Sequence, residues 1–278
     1  KELDASQTDV EELEAAFEQV KEDVSDEILD YYKTPCPNGD HDADVMYNFW
    51  VKEVGCVSCG HKVPLFKDYR VGKGRFDNNN KYNVLCPDCG SVILVDSWRE
   101  DCVCSECSHE FVPQEGNVSR GGKYACPDCG QKYGITDAIQ EQNGHELRLY
   151  GIEYYCPECD EQNRARSEVK GYKSPESTDR ELAQQARTEW ENDETLRDYV
   201  PSRKIRKGAT TVVTSEISYD GHDLSQHDID EWSDMFNQRQ LLCLSTLLKR
   251  IGELENQNCR EFLLLAFSDM LRTNTMMS

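Results

Sequence analysis

The chain has 278 residues, with 31 Lys and Arg against 53 Asp and Glu, a net charge of −22, and 37% apolar residues. That apolar share is low for one large core and no apolar run reaches the length of a bilayer span, so small modules are expected and a membrane protein is not. The acidity is uneven: residues 1–60 hold 4 basic and 16 acidic side chains, whereas residues 61–125 hold 9 of each, which argues against a chain that meets nucleic acid over its whole surface. Either a salty, halophilic intracellular medium that screens acidic surfaces or a chain that binds no nucleic acid itself accounts for this balance, and composition does not choose between them. No secretory leader pattern opens the sequence; it starts at Lys1 without a methionine and stops in a helix-like run at Ser278, so a piece of a longer protein is expected.

In chain order, residues 8–32 read as a helix. Thr8 and Glu11 form a capping box, and Val10, Leu13, Phe17, Val20, Val24 and Ile28 recur at three- and four-residue steps opposite an acidic face. Pro35 and Pro37 end it. A strand follows through Val45–Val54 and runs into Cys56-Val-Ser-Cys59-Gly60. A basic stretch with Lys62, Lys67, Arg70, Lys73 and Arg75 suits either a phosphate backbone or a solubilising hairpin. Tyr82 to Pro113 reads as a complete ribbon: Cys86-Pro-Asp-Cys89-Gly90 and Cys104-Ser-Glu-Cys107 stand fourteen residues apart, with β-rich runs at Val92–Val95 and His109–Val112. Cys126-Pro-Asp-Cys129-Gly130 repeats the pattern, and a strand through Leu147–Tyr155 enters the fifth pair, Cys156-Pro-Glu-Cys159.

Ten of the fourteen cysteines thus fall in five Cys-x2-Cys pairs. One such turn sends two thiolates to one face of a metal, and a second pair completes the tetrahedron that zinc prefers. Disulfides or ordinary buried cysteines are the competing reading; so many knuckles favour metal and a reducing cytoplasm. A dithiol redox protein would need the pairs at helix N-termini in a thioredoxin-like context, which nothing here supplies. Two pairings are open: serial, joining Cys56/Cys59 to Cys86/Cys89, or nested, closing Cys56/Cys59 against Cys126/Cys129 around the central ribbon. The compact fourteen-residue spacing favours nesting. The fifth pair is then left over. It can recruit Cys36 and His41, bind a metal between chains or stay empty, and a lone Cys and His at that spacing are commoner without metal. Cys102, His61 and His109 read as neighbouring solvent-facing residues rather than substitute ligands. Two zinc ions are expected, or three with Cys36 and His41. A four-thiolate zinc has no open position for water and is structural, so removing it should unfold residues 56–159.

Ser177 can cap a helix carrying Leu182, Ala183, Ala186 and Trp190, which Pro201 closes. The densest basic run follows, Arg203, Lys204, Arg206 and Lys207, suited either to phosphate contact or to an exposed linker. A strand is plausible through Thr211–Val213. Asn237 and Gln240 form a capping box for a helix with Leu241, Leu244, Leu248 and Ile251 on one stripe, and Leu263–Leu271 continues as a nearly all-apolar helix, the two forming a buried antiparallel pair.

Here Trp232-Ser-Asp-Met-Phe236-Asn-Gln-Arg239-Gln240-Leu-Leu resembles the large adenine-specific DNA methylases that contain a zinc ribbon, as does Phe262–Asn274, a helix ending near an Asn. Phe49-Trp50 before a knuckle and Val63-Pro-Leu after it also fit, so the resemblance spans most of residues 43–278, with the Arg239 region its distinctive part. In that family a methyl group passes from S-adenosylmethionine to adenine N6, through a Gly-containing cofactor loop and an Asp/Asn-Pro-Pro-Tyr/Phe turn. Neither motif occurs here: there is no Pro-Pro, and Gly72-Lys-Gly74 does not follow a buried parallel strand. The resemblance therefore implies an insert between the two catalytic motifs. It would have no catalytic residue of its own, would partner the remainder of the methylase chain and DNA, and S-adenosylmethionine would bind only the longer parent in restriction-modification or phage defence.

The fold class expected is α+β, with small β-rich zinc-ribbon modules flanked by an acidic N-terminal helix and a C-terminal helical segment. The expected divisions are 1–35 (helix), 36–175 (ribbons, with 82–113 inserted in an outer one), 176–208 (helix and basic linker) and 209–278 (segment resembling the methylase core). The alternative function is a non-enzymatic zinc-ribbon adaptor whose acidic helices bind a protein partner.

Overall fold

The computed structural model describes residues 9–142, 144–205 and 229–275. It has the expected α+β class, divided into a β-rich unit spanning Lys33–Arg180 and a helical unit whose described residues come from both ends of the chain. Among the described residues no helix is long and apolar enough to cross a membrane.

The β-rich unit is built on an antiparallel frame. Aromatic and branched residues give β2 (Asp42–Gly55) its extended form, and β2 pairs on one side with β1 (Lys33–Pro35) and along its length with β12 (Glu146–Tyr155). β13 (Lys170–Lys173) adds to β12, and β3 (Lys62–Pro64) pairs with the far end of β2. The long β2–β12 pairing sets Asp44 opposite Tyr155 and Glu53 opposite Glu146, so segments inserted between the two strands project from one end of the frame while the chain enters and leaves at the other.

Two ribbons fill that insertion. The outer one joins the β2–β3 hairpin to β9 (Val118–Ser119), β10 (Lys123–Ala125) and β11 (Lys132–Gly134), followed by α2 (Ile135–Glu141); Val54, Val63, Tyr124 and Ile139 form its core. The inner one consists of β4 (Arg70–Lys73), β5 (Tyr82–Leu85) and β6 (Val92–Val95), with β7 (Cys102–Val103) and β8 (Glu110–Phe111). It seats on the frame through Val71, Leu85 and Phe66 against Val51, and Phe66 meets Tyr150 edge-on at 5.1 Å between ring centroids. The layers meet closely at Gly151, where a Cβ would come within 3.2 Å of the Val71 side chain. Glu153, 2% exposed, ties the layers electrostatically: its Oε1 lies 2.8 Å from Arg75 and 3.4 Å from Lys170.

In the helical unit, α1 spans Val10–Leu29 and its N-cap is Asp9, whose carboxylate accepts the Glu11 N–H at 3.0 Å; Thr8, the expected cap, lies outside the described residues. Only Val20 and Val24 of its apolar stripe are fully buried, and Phe17 is 51% exposed. α5 (Ser177–Asn192) contains Ser177 as its first helical residue rather than as its cap, and the Asp179 carboxylate accepts the Glu176 N–H at 2.7 Å. After α6 (Glu194–Arg197), α7 (Gln238–Gly252) opens with the expected box: Asn237 Oδ1 accepts Gln240 N–H at 2.9 Å and Gln240 Oε1 accepts Asn237 N–H at 3.0 Å. Its buried face is not the Leu241/Leu244/Leu248 stripe alone. Leu242 and Cys243 pack against Tyr31, Ala186 and Leu196, while Leu244, Leu247 and Leu248 are half-buried beside α8 (Gln257–Thr273). Leu264 and Leu265 of α8 are exposed, so the α7–α8 pair is buried on one side only.

Candidate metal centres

Each ribbon turn is built by the same local bonds. The N–H of the first cysteine donates to the carbonyl five residues on, Cys56 to His61 at 2.7 Å, Cys86 to Ser91 at 2.8 Å, Cys104 to His109 at 2.9 Å and Cys126 to Gln131 at 2.9 Å. The residue four places on donates back to the cysteine carbonyl, which forces a positive φ: Gly60 (74°), Gly90 (74°), Gly130 (72°) and, in the knuckle without glycine, Ser108 (63°). The closed turn aims both thiols to one side.

Cys36 and His41 use the same closure. The Cys36 N–H donates to the His41 carbonyl at 2.8 Å, between β1 and β2, so this hairpin is a knuckle whose second donor stands at the fifth position instead of the third. Its partner turn differs. Cys156 caps the short helix α3 (Pro157–Glu161), its sulfur accepting the Cys159 N–H at 3.4 Å.

Three clusters result, Cys36/His41/Cys156/Cys159, Cys56/Cys59/Cys126/Cys129 and Cys86/Cys89/Cys104/Cys107, and within each the donor atoms lie within 4.8 Å of one another. The pairing is nested, not serial: reading outward along the chain, each site encloses the one before. The fifth pair meets Cys36 and His41, the two donors that the sequence reading does not place among the expected ligands.

The geometry fits tetrahedral zinc. A Zn–S bond of about 2.3 Å implies S···S edges of about 3.8 Å and mixed N···S edges of about 3.5 Å. The observed separations are 3.6 Å (Cys56–Cys129), 3.7 Å (Cys59–Cys126), 3.6 Å (Cys86–Cys107), 3.7 Å (Cys89–Cys104) and 3.6 Å (Cys36–Cys159). His41 Nε2 lies 3.0 Å from Cys156 and 3.5 Å from Cys159. These distances are far beyond the roughly 2.05 Å of a disulfide, and all fourteen cysteines are free thiols. His41 Nδ1 faces Glu158 Oε1 at 3.4 Å, the carboxylate–imidazole arrangement that fixes a metal-ligating tautomer.

Without a cation the thiols cannot all ionise together. The Ser91 hydroxyl, against burial, holds Cys89 down to about 6, while burial and then hydrogen bonding with Cys156 and Cys36 push Cys159 up to about 12. A divalent cation removes that conflict by holding four donors in deprotonated form. Four protein donors leave no position for water, so the centres are suited to holding structure and not to activating a nucleophile.

His61 and His109 enter the knuckles through their carbonyls and neither imidazole joins a cluster; Cys102 is half-buried on β7, also outside them. Cys243 and Cys259 are buried in the helical unit. Of the candidate phosphate contacts, Lys67, Arg70 and Lys73 are exposed on the β-rich unit, while Arg75 is held by buried Glu153. Arg203 and Lys204 are exposed on the helical unit, with Lys204 in a backbone bridge to Glu231, and Arg206 and Lys207, like the strand expected at Thr211–Val213, lie outside the described residues. Arg239 is 5% exposed: it donates to the Tyr31 carbonyl at 3.0 Å and lies over the Tyr32 ring at 4.7 Å. No protein-family model, curated protein or solved structure gives a significant match to this chain.

Proposed function

We propose that the chain is a metal-stapled positioning module of a zinc-ribbon-containing, adenine-specific DNA methylase, holding structure and DNA rather than carrying out transfer. The observation that carries the scaffold part is the three four-donor clusters nested along 36–159, each coordinatively complete. The methylase part rests on the Trp232–Leu242 motif. Its Asn237/Gln240 box starts α7 and its Arg239 anchors the helical core, roles that suit an element of a larger fold and offer no group to a reacting adenine. S-adenosylmethionine has no place among these residues in this reading; it belongs to the parent enzyme.

Two measurements test it together. The reading expects the parent gene to encode a cofactor loop before Lys1 and an Asp-Pro-Pro-Tyr-like turn after Ser278, and expects the metal-loaded chain to bind duplex DNA with an affinity that falls with salt while transferring no methyl group. A gene encoding neither motif would contradict the methylase assignment, and a chain with no salt-dependent DNA affinity would favour the adaptor.

A further inference from the structure

The inner ribbon carries an arrangement that the basic runs in the sequence do not announce. Trp98, half-buried after β6, packs against the core cluster of Val84, Ile93, Cys86 and Cys104, which includes two ligands of the inner centre. Arg70, at the start of β4, places its guanidinium carbon 4.6 Å from the indole centroid, and Arg99 places its own at 5.0 Å from the same ring. The two guanidinium carbons are therefore at most about 10 Å apart, and one aromatic ring holds both.

In a chain with 53 acidic side chains, several exposed cations are matched by carboxylates: Lys62 by Glu146, Lys81 by Asp96, Arg148 by Glu53, Arg166 by Asp160. Arg70 and Arg99 are not, and unlike the equally unmatched Lys67 and Lys73 they share one aromatic ring. Among the described residues no carboxylate stands within ion-pair reach of Arg70 or Arg99, although Asp68, Glu100 and Asp101 are near in sequence; Asp68 instead accepts the Arg70 backbone N–H at 3.1 Å. Cation–π contact fixes the guanidinium planes without using their N–H edges, which leaves forked donors preset for anionic oxygens. Two like charges on one ring also repel, and an anion between or across them relieves that repulsion.

We infer that Arg70, Trp98 and Arg99 form a phosphodiester-binding clamp, through which the inner ribbon grips a nucleic-acid backbone. A phosphodiester strand, whose charges repeat at short intervals, can load both guanidiniums at once. The clamp rests on the DNA-positioning reading above but adds a residue, Arg99, that no basic run contains and sets aside Arg75. Its rigidity comes from the ribbon core beneath it, since Trp98 packs against the cluster that holds Cys86 and Cys104.

The test is the salt dependence of binding of the metal-loaded full chain to a labelled random-sequence DNA duplex, followed by fluorescence anisotropy. For the double variant Arg70→Ala/Arg99→Ala the slope of log affinity against log salt should shrink by about two, one for each lost phosphate contact, with loss of affinity on every sequence. Arg70→Lys/Arg99→Lys should keep the slope, and Lys123→Ala on the outer ribbon should leave binding unchanged. Metal content equal to wild type shows that each variant is folded. An unaltered slope in the double alanine variant would overturn the clamp and leave DNA positioning standing. Absence of wild-type DNA binding would overturn both, and equal binding of poly-glutamate would overturn the clamp in favour of an acidic protein ligand.

Discussion

Replacing Cys36 and His41 by alanine probes the site that ties the β1–β2 hairpin to the segment leaving β12. With the outer ribbon closed by its own metal, the third centre closes a loop made of segments 41–56 and 129–156, about 42 residues in all. A cross-link over such a loop stabilises by about 4 kcal/mol through lost freedom of the unfolded chain. The Cys36→Ala/His41→Ala variant should bind two zinc ions instead of three, measured by mass spectrometry of metals after dialysis against a weak chelator. Its β-rich unit should unfold about 2 M earlier in urea, for a slope near 2 kcal/mol/M. His41→Cys keeps four donors and should restore the third ion. A double alanine variant that still holds three ions and unfolds with wild type would refute the assignment of this centre.

Three further outcomes follow from particular contacts. Ser108 holds a φ of 63° where the other ribbon knuckles have glycine, so Ser108→Gly should stabilise the metal-loaded chain by about 1 kcal/mol and Gly90→Ala should destabilise it by a similar amount, both read from urea midpoints. Arg239→Ala removes the donor to the buried Tyr31 carbonyl and the cation over Tyr32, and should cost about 3 kcal/mol of helical-unit stability, again by urea titration; a loss below 0.5 kcal/mol would show that Arg239 is not structural. Burial, then hydrogen bonding to Glu189, raises Tyr31, and burial pushes Tyr32 up to about 12. A raised folded value stabilises fully below the unfolded value near 10 and less as pH rises above it, so the helical unit should lose stability between about pH 10 and 12. A urea midpoint constant across that range would contradict the burial of the two tyrosines.

The ribbon turns were legible because their determinants are local. Two thiols three residues apart and a following glycine fix one turn whatever surrounds it, and the Asn237/Gln240 box is equally short-range. The Cys36/His41 pair was not legible in this way, since what brings it to Cys156 is the register of β2 on β12, with Asp44 opposite Tyr155 across more than 100 residues of chain. One local clue existed, the Pro-Asn-Gly-Asp turn between two strand-like runs, which closes by the same five-residue bond as the other knuckles. Helix faces misled for a different reason. The periodicity of α7 selects its leucines, yet the polar residues Arg239, Ser245 and Thr246 are buried because each sits on the side turned into the helical unit's core. The Arg70–Trp98–Arg99 stack likewise depends on strands β4 and β6 flanking β5, and no count of lysines and arginines along the sequence points to it.

X-ray absorption at the zinc edge, combined with metal content per chain, addresses the nested scaffold most directly. Three ions held in sum by eleven sulfurs and one imidazole nitrogen, with no oxygen in the first shell, is the predicted result. A shell containing water oxygen, fewer than three ions in fully reduced protein, or sulfurs recovered as disulfides would contradict it.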